Sequence, residues 1–282
     1  MIVSRFAPSP TGYLHCGHAY SALLAACGAD RFLLRIEDID PVRCKPEFEA
    51  AIKEDLAWLG LRWEEPVRRQ SDHRDDYQSA LAFLREEGLL YPCFCSRKEI
   101  KREAEKAGLA PHADDGTVLY PGTCRSMDKR EQADRLERGI PAVWRLNMAK
   151  AVKRTGALFW RDRLHGKIKA RPENFGDVVL ARKDVPTSYH LSVTVDDHLQ
   201  KITHVIRGED LFAATHIHRL LQALLGYTPP VYDHHPLLCD DNGRRYAKRN
   251  KAMTLRTLRE KGEDPVALCR SLLEKQGESF LP

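Results

Sequence analysis

Nowhere in the 282 residues does an apolar run approach the length of a membrane span, no segment repeats, and no stretch is of low complexity. A basic–apolar–small leader is missing too: Met1 runs straight into a short apolar segment. These absences argue against a helical membrane protein, a repeat array or a disordered tether, and they lead us to expect a cytoplasmic location with no membrane partner. In that compartment a disulfide framework is excluded, so the eight cysteines are expected to be thiols or metal ligands. What is present is an ordinary globular composition, 43% hydrophobic and 30% charged, long enough to bury one large core or two modest ones.

The net charge of +5 conceals a segregation. Residues 141–172 carry nine Lys or Arg and one acid, and residues 242–261 carry eight and one. The two stretches together hold +15, which leaves the rest of the chain at −10. Clustered base on an otherwise acidic protein is the footprint of a polyanion partner, RNA foremost.

The chain is organised around Arg5-Phe-Ala-Pro-Ser-Pro-Thr-Gly-Tyr-Leu-His-Cys-Gly-His18. A strand over 1–7 breaks at two prolines and a glycine, a helix over 17–29 follows, and a second strand runs over 31–37. That β-loop-α-β order puts a loop at the carboxyl end of a strand and at a helix N-terminus, where open α/β sheets bind anions. Helical spacing predicts further helices over 46–59 and 76–87, stopped by Gly60 and Gly88. Strands are expected at 177–180, 191–195, 202–206 and near Val231, with a helix over 213–225 ended by Gly226. A helix from Pro265 to Gln276, capped by Asp264, closes the chain.

The expected division is a first half of a nucleotide-binding fold (1–90), an insertion (91–184), a second half (185–240), and a basic loop with a helical tail (241–282). Between Leu90 and Asp184 a polar helix over 97–107 gives way to irregular and then strand-like, basic sequence.

His15 and His18, three apart at a helix start, can face one ligand and donate to phosphate oxygens. Arg5 at the strand end presents a fork suited to a carboxylate, Ser9 offers a hydroxyl, and Gly17 permits close backbone approach. Cys93-Phe-Cys95 with Cys124 and Tyr120 is a candidate tetrahedral metal site, His112 being the alternative to the tyrosine. His216 and His218, two apart on a helix, face differently and make poor joint ligands. His234-His235 sit near a proline turn, and Asp196-Asp197 either line a cleft or cap a strand end. Cys16, Cys27, Cys44, Cys239 and Cys269 read as ordinary small side chains.

The residues 5–18, together with Leu34-Arg-Ile-Glu-Asp-Ile-Asp-Pro41, Val195-Asp-Asp-His-Leu199 and Ile202-Thr-His-Val-Ile-Arg-Gly-Glu-Asp-Leu211, resemble the class I aminoacyl-tRNA synthetases in their glutamyl form. Some thirty residues follow the basic loop, too few for a further domain, and in this the chain is similar to the shortened glutamyl-queuosine tRNA(Asp) synthetases. The resemblance implies an α/β fold: a Rossmann-type parallel sheet split by a zinc-containing insertion, with a short helical tail. It implies glutamate held by Arg5, Phe6, Ala7, Pro8, Ser9, Glu37, Tyr189 and Arg207. It further implies ATP bound by His15, Gly17, His18, Arg245 and Lys248, with His15, His18 and Lys248 catalytic. One structural Zn²⁺ on Cys93, Cys95, Tyr120 and Cys124, and Mg²⁺ with the nucleotide, complete the implied set. Arg245-Tyr-Ala-Lys-Arg249 departs from the family's Lys-Met-Ser-Lys-Ser loop: Lys248 keeps its type, Arg245 stands for the first lysine, and Ala247 replaces a serine.

The expected activity is ATP-dependent activation of L-glutamate and its transfer to queuosine in the anticodon arm of tRNA(Asp), by a monomer. Three alternatives stand beside it: a truncated glutamyl-tRNA synthetase acylating the tRNA 3′ end, a small-molecule nucleotidylyltransferase, and a non-catalytic RNA-binding relative.

Overall fold

The computed structural model describes residues 1–96, 98–100, 102, 119–183, 185, 187–238 and 253–274. Strands β1 (Val3–Phe6), β2 (Arg31–Ile36) and β3 (Glu64–Arg69) form a parallel sheet in that order. A second sheet runs β7 (Gly166–Lys169), β6 (Phe159–Asp162), β10 (Val231–His235), β9 (His204–Gly208), with β6, β10 and β9 mutually parallel across each ladder and β7 antiparallel. Thr203 joins the two sheets: its amide donates to Val3 O at 3.0 Å and its hydroxyl accepts from Val3 N at 2.8 Å. The result is an α/β layer in which β1 and β9 lie side by side. A third, antiparallel sheet of β4 (Leu90–Cys93), β5 (Val143–Leu146) and β8 (Val179–Ala181) stands apart.

Helices fill the intervals. Helix α1 (Cys16–Ala26) buries Ala19, Tyr20, Ala22, Leu24 and Ala25. The three alanines let it sit close against β1 and β9. Helix α2 (Pro46–Trp58) starts on a proline, and α3 (Arg74–Glu86) turns its Tyr77, Ala80 and Leu84 inward. Gly60 and Gly88 end these two helices with positive φ, the backbone conformation that favours glycine. Two helices not anticipated from sequence, α4 (Lys129–Glu137) and α5 (Met148–Thr155), lie between β4 and β6. The expected helix over 97–107 is helical at 98–100 and 102, its remaining residues lying outside the described ones.

The segment 191–195 is not a strand. It belongs to helix α6 (Tyr189–Leu199), opened by Ser188, whose hydroxyl accepts from Leu191 N. Alternating Leu-Ser-Val-Thr-Val mimics a strand, but every residue from Leu191 to Asp197 is buried, so no solvent face imposes a helical period. Inside the helix the Ser192 and Thr194 hydroxyls donate to the carbonyls of Ser188 and His190, which satisfies them without water. Strand β3 was also missed. Its charged, proline-containing sequence suits a sheet edge rather than a centre.

Helices α7 (Ala214–Leu225), α8 (Leu255–Glu260) and α9 (Pro265–Glu274) complete the described fold. Gly226 ends α7 with φ 72°, and Asp264 caps α9 by accepting from Val266 N and Ala267 N.

Beneath the layer lies a buried ionic cluster. Arg35, fully buried on β2, donates to Asp197 Oδ1 at 2.9 Å and to Glu37 Oε1 at 3.4 Å. Arg5 on β1 donates to the same Asp197 oxygen at 3.0 Å. Asp196 accepts from Arg68 Nε at 2.7 Å, Gln70 Nε2 at 2.8 Å and the Tyr77 hydroxyl at 2.9 Å. Thus β1, β2, β3 and α3 are all fastened to helix α6. Replacing the central cation, Arg35→Met, leaves two buried carboxylates short of a partner and is expected to lower the unfolding free energy by about 3–5 kcal/mol. Denaturant unfolding followed by circular dichroism measures it, and a loss below about 1 kcal/mol would refute the central place given to Arg35.

Candidate active site

The carboxyl ends of β1 and β9 diverge at the junction between the two sheets, where open α/β sheets place their ligands. There they open a cleft of about 630 Å³. Arg5, Phe6, Ala7, Pro8 and Ser9 line it from the β1 side, and His15, Gly17 and His18 from the start of α1. Glu37 enters from the end of β2, Tyr189 from α6, and Arg207 from β9. The sequence-derived candidates for glutamate and nucleotide therefore meet on one surface. Arg245 and Lys248 fall outside the described residues.

The chain just beyond that basic loop returns to the histidine loop. Thr254 pairs with His15, Leu255 N donates to Leu14 O at 2.8 Å, and Arg256 Nη1 donates to the Tyr13 hydroxyl at 2.8 Å.

The two histidines are locked by backbone amides. Gly17 N donates to His15 Nδ1 at 3.1 Å, and His15 N donates to His18 Nδ1 at 3.2 Å. A backbone N–H can only donate, so both Nδ1 atoms are acceptors and each ring carries its proton on Nε2. The rings stand 3.8 Å apart between centroids, which makes them a fixed pair of Nε2–H donors at a helix start.

The charged residues divide into two kinds. Arg5 is committed to Asp197, and Glu37 lies beside Arg35. Burial pushes the Glu37 carboxyl up to about 7, against the pull of Arg35 and Arg5. Arg207 differs. It is 6% exposed, yet no carboxylate among the described residues comes within ion-pair distance of it. Its Nε donates to His234 Nε2 at 3.1 Å, Nη1 lies 3.4 Å from both the Tyr189 hydroxyl and His218 Nδ1, and Nη2 donates to Leu211 O at 3.1 Å and Thr215 Oγ1 at 2.6 Å. A buried cation surrounded by neutral acceptors is a receptor for an anion.

At Gly208, next along, an added Cβ would come within 2.6 Å of Asp210 Oδ1 and 2.8 Å of Leu237 Cδ2, so both of those side-chain ends would have to move to admit it.

The family described as "tRNA synthetases class I (E and Q), catalytic domain" matches residues 1–277. The chain belongs to that family. A glutamyl-Q tRNA(Asp) synthetase of Rhodobacter capsulatus is 47% identical over 279 residues, covering 95% of this chain and 99% of the relative. A glutamate–tRNA ligase of a Hydrogenobaculum species is 38% identical over 272 residues, covering 95% of this chain and 57% of that protein. Among solved structures, a glutamate tRNA ligase from Elizabethkingia meningosepticum in complex with its amino acid superposes with a TM-score of 0.80 at 28% identity, covering 97% of this chain and 60% of that one.

This synthetase carries a second cluster at the tip of the β4–β5–β8 sheet. The thiols of Cys93, Cys95 and Cys124 lie within 4.8 Å of one another, Cys95 and Cys124 at 3.4 Å. Tyr120 Oη is 3.7 Å from Cys95 Sγ and accepts from Cys124 N at 2.7 Å. Three converging soft donors form a group that could hold a metal ion. His112 lies outside the described residues.

Asp196 and Asp197, read from sequence as cleft-lining or strand-end residues, do neither; they sit inside helix α6 and anchor the ionic cluster. His216 and His218 do face apart, toward Trp160 and Arg207 respectively. Sequence reading noted Arg35, His218 and His234 but gave none of them its role beside Asp197 or Arg207. Nothing in local spacing marks them, because their partners come from distant strands and helices.

The Glu37 carboxyl supplies a pH test. Its folded value, about 7, exceeds its ordinary 4.5, so the folded state holds the proton more tightly than the unfolded chain does. The stability contributed by this proton is complete below 4.5 and lost as pH rises through about 7. The unfolding free energy of the synthetase is expected to drop across that window by up to about 3 kcal/mol relative to Glu37→Gln. Identical pH profiles for the two proteins would contradict it.

Proposed function

We propose that this chain activates L-glutamate with ATP and transfers the glutamyl group to queuosine in the anticodon of tRNA(Asp). The observation that carries the reading is the cleft itself: a buried arginine lacking a carboxylate partner among the described residues lines it together with two Nε2–H donors at a helix start. Similarity at 47% over nearly the full length of the Rhodobacter relative favours the queuosine acceptor.

In this reading Arg207, with Arg5, takes a carboxylate of glutamate, and Glu37, once ionised, takes the α-ammonium. Phe6 to Ser9 and Tyr189 close around the chain of the amino acid. An α-carboxylate oxygen attacks the α-phosphorus of ATP, the bond to the β-phosphate oxygen breaks, and pyrophosphate leaves. No base is required, since the nucleophile is already ionised near neutral pH. His15 and His18, with Gly17 at the helix start, stabilise the charge developing on the phosphorus oxygens, and Arg245 and Lys248 neutralise the departing pyrophosphate. Mg²⁺ accompanies the nucleotide phosphates. A hydroxyl of the queuosine cyclopentene diol then attacks the glutamyl carbonyl, AMP leaves, and the hydroxyl proton is released. The two basic stretches, at 141–172 and 242–261, would hold the RNA.

The same reading keeps the division at residues 90, 184 and 240, and assigns Cys93, Cys95, Cys124 and Tyr120 to one structural Zn²⁺ that clips the insertion. About one equivalent of zinc is expected in protein purified without added metal, and markedly less in Cys124→Ser; metal analysis by mass spectrometry decides it, and a metal-free wild type would remove zinc from the proposal.

The acceptor is tested with radiolabelled glutamate. Label is expected on tRNA(Asp) that contains queuosine, to survive removal of the 3′-terminal adenosine, and to be missing from tRNA lacking queuosine. Equal labelling of both RNAs, lost with the terminal adenosine, would instead establish acylation of the 3′ end, the activity named for the Hydrogenobaculum relative.

A further inference from the structure

Arg207 lies among neutral acceptors, and one of them is itself anchored. His234, on β10, is 1% exposed. Its Nε2 receives the Nε proton of Arg207 at 3.1 Å, and its Nδ1 lies 2.7 Å from Asp162 Oδ2. Arginine Nε can only donate and a carboxylate oxygen accepts, so the ring tautomer is determined: the proton sits on Nδ1 and the lone pair on Nε2. Asp162, at the end of β6, is fixed in turn. Its Oδ1 accepts from Leu164 N and His165 N, both at 3.0 Å, and lies 2.8 Å from His165 Nδ1. Burial would raise the Asp162 carboxyl, but its bonds to His234 and His165 hold it below its ordinary value, so it remains an anion. Burial, reinforced by Arg207, lowers His234 to about 3, so the ring stays uncharged at neutral pH.

We propose that His234 and Asp162 are positioning residues for Arg207, setting the plane of its guanidinium toward the cleft through an uncharged ring that leaves its charge unneutralised for the substrate carboxylate. The inference rests on the glutamate role given to Arg207 above. A carboxylate in place of His234 would orient the guanidinium equally well but would neutralise it, removing the reason for an anionic ligand to bind. The charge of Asp162 is kept one ring further away. The arrangement is therefore a specificity device: it favours an amino acid whose side chain ends in a carboxylate over the isosteric amide, which cannot use the preserved charge.

The test uses the full chain and glutamate-dependent ATP–pyrophosphate exchange. His234→Phe keeps a ring but removes the acceptor. His234→Gln can still accept from Arg207 Nε and donate to Asp162. The phenylalanine variant is expected to raise the KM for glutamate about tenfold to a hundredfold, to change the KM for ATP less than twofold, and to narrow the preference for glutamate over glutamine. The glutamine variant is expected to remain within about threefold of wild type in all three. His234→Asn, whose amide is too short to reach Nε, gives the same comparison should the phenylalanine variant not fold.

An unchanged glutamate KM in the phenylalanine or asparagine variant, a parallel rise in both KM values, or a glutamine variant as impaired as the phenylalanine one would overturn the proposal. A wild-type protein that shows no glutamate-dependent exchange would overturn instead the functional reading on which it rests.

Discussion

A guanidinium with no solvent contact has to find its counter-charge inside the protein, and for Arg35 that charge comes from helix α6. The requirement organises the fold. Asp197 is shared between Arg35 and Arg5, so the strand that leads into the histidine loop and its neighbour are held to one carboxylate. Asp196 gathers Arg68, Gln70 and Tyr77 from the far edge of the sheet and from α3. Such a cluster gives less stability than an apolar core of equal volume, because each ion has lost its water. Its value is positional: the β1 end, the β2 end and α6, which supply Arg5, Glu37 and Tyr189 to the cleft, have one satisfactory arrangement relative to one another.

The cleft chemistry follows from that frame. Arg5 and Glu37 enter already engaged with buried partners, and burial, opposed by Arg35 and Arg5, balances the Glu37 proton near neutrality. Arg207, held by imidazoles, a carbonyl and a hydroxyl, meets no carboxylate among the described residues to neutralise it. One pocket thus presents an anion-seeking end and a cation-seeking end, the polarity an amino acid requires.

Legibility in the sequence followed the range of the interactions. The β-loop-α-β order around residues 5–18 and the glycine stops at 60, 88 and 226 are local, and the structure has them where periodicity and caps indicate. The grouping of Arg5, His15, His18, Glu37 and Arg207 on one cleft was accessible through motif resemblance, not through spacing, since these residues span two hundred positions. Helix α6 was misread because full burial erases amphipathic periodicity, and β3 because an edge strand with charges on it looks like a loop. The roles of Arg35, Asp162 and His234 are set by partners 162, 72 and 27 residues away, and no window of sequence contains such pairs.

The join at Thr203 has a bearing on how the chain reaches this state. β1 precedes its neighbour β9 by about two hundred residues along the chain. Until the distant segments meet, Val3 has an unpaired edge, and Arg5 and Arg35 lack the carboxylate that lets them be buried. Chains halted before α6 would therefore expose a hydrophobic strand edge together with two arginines awaiting burial, a state prone to non-specific association. With contacts of such sequence separation, assembly of the central sheet is slow relative to helix formation.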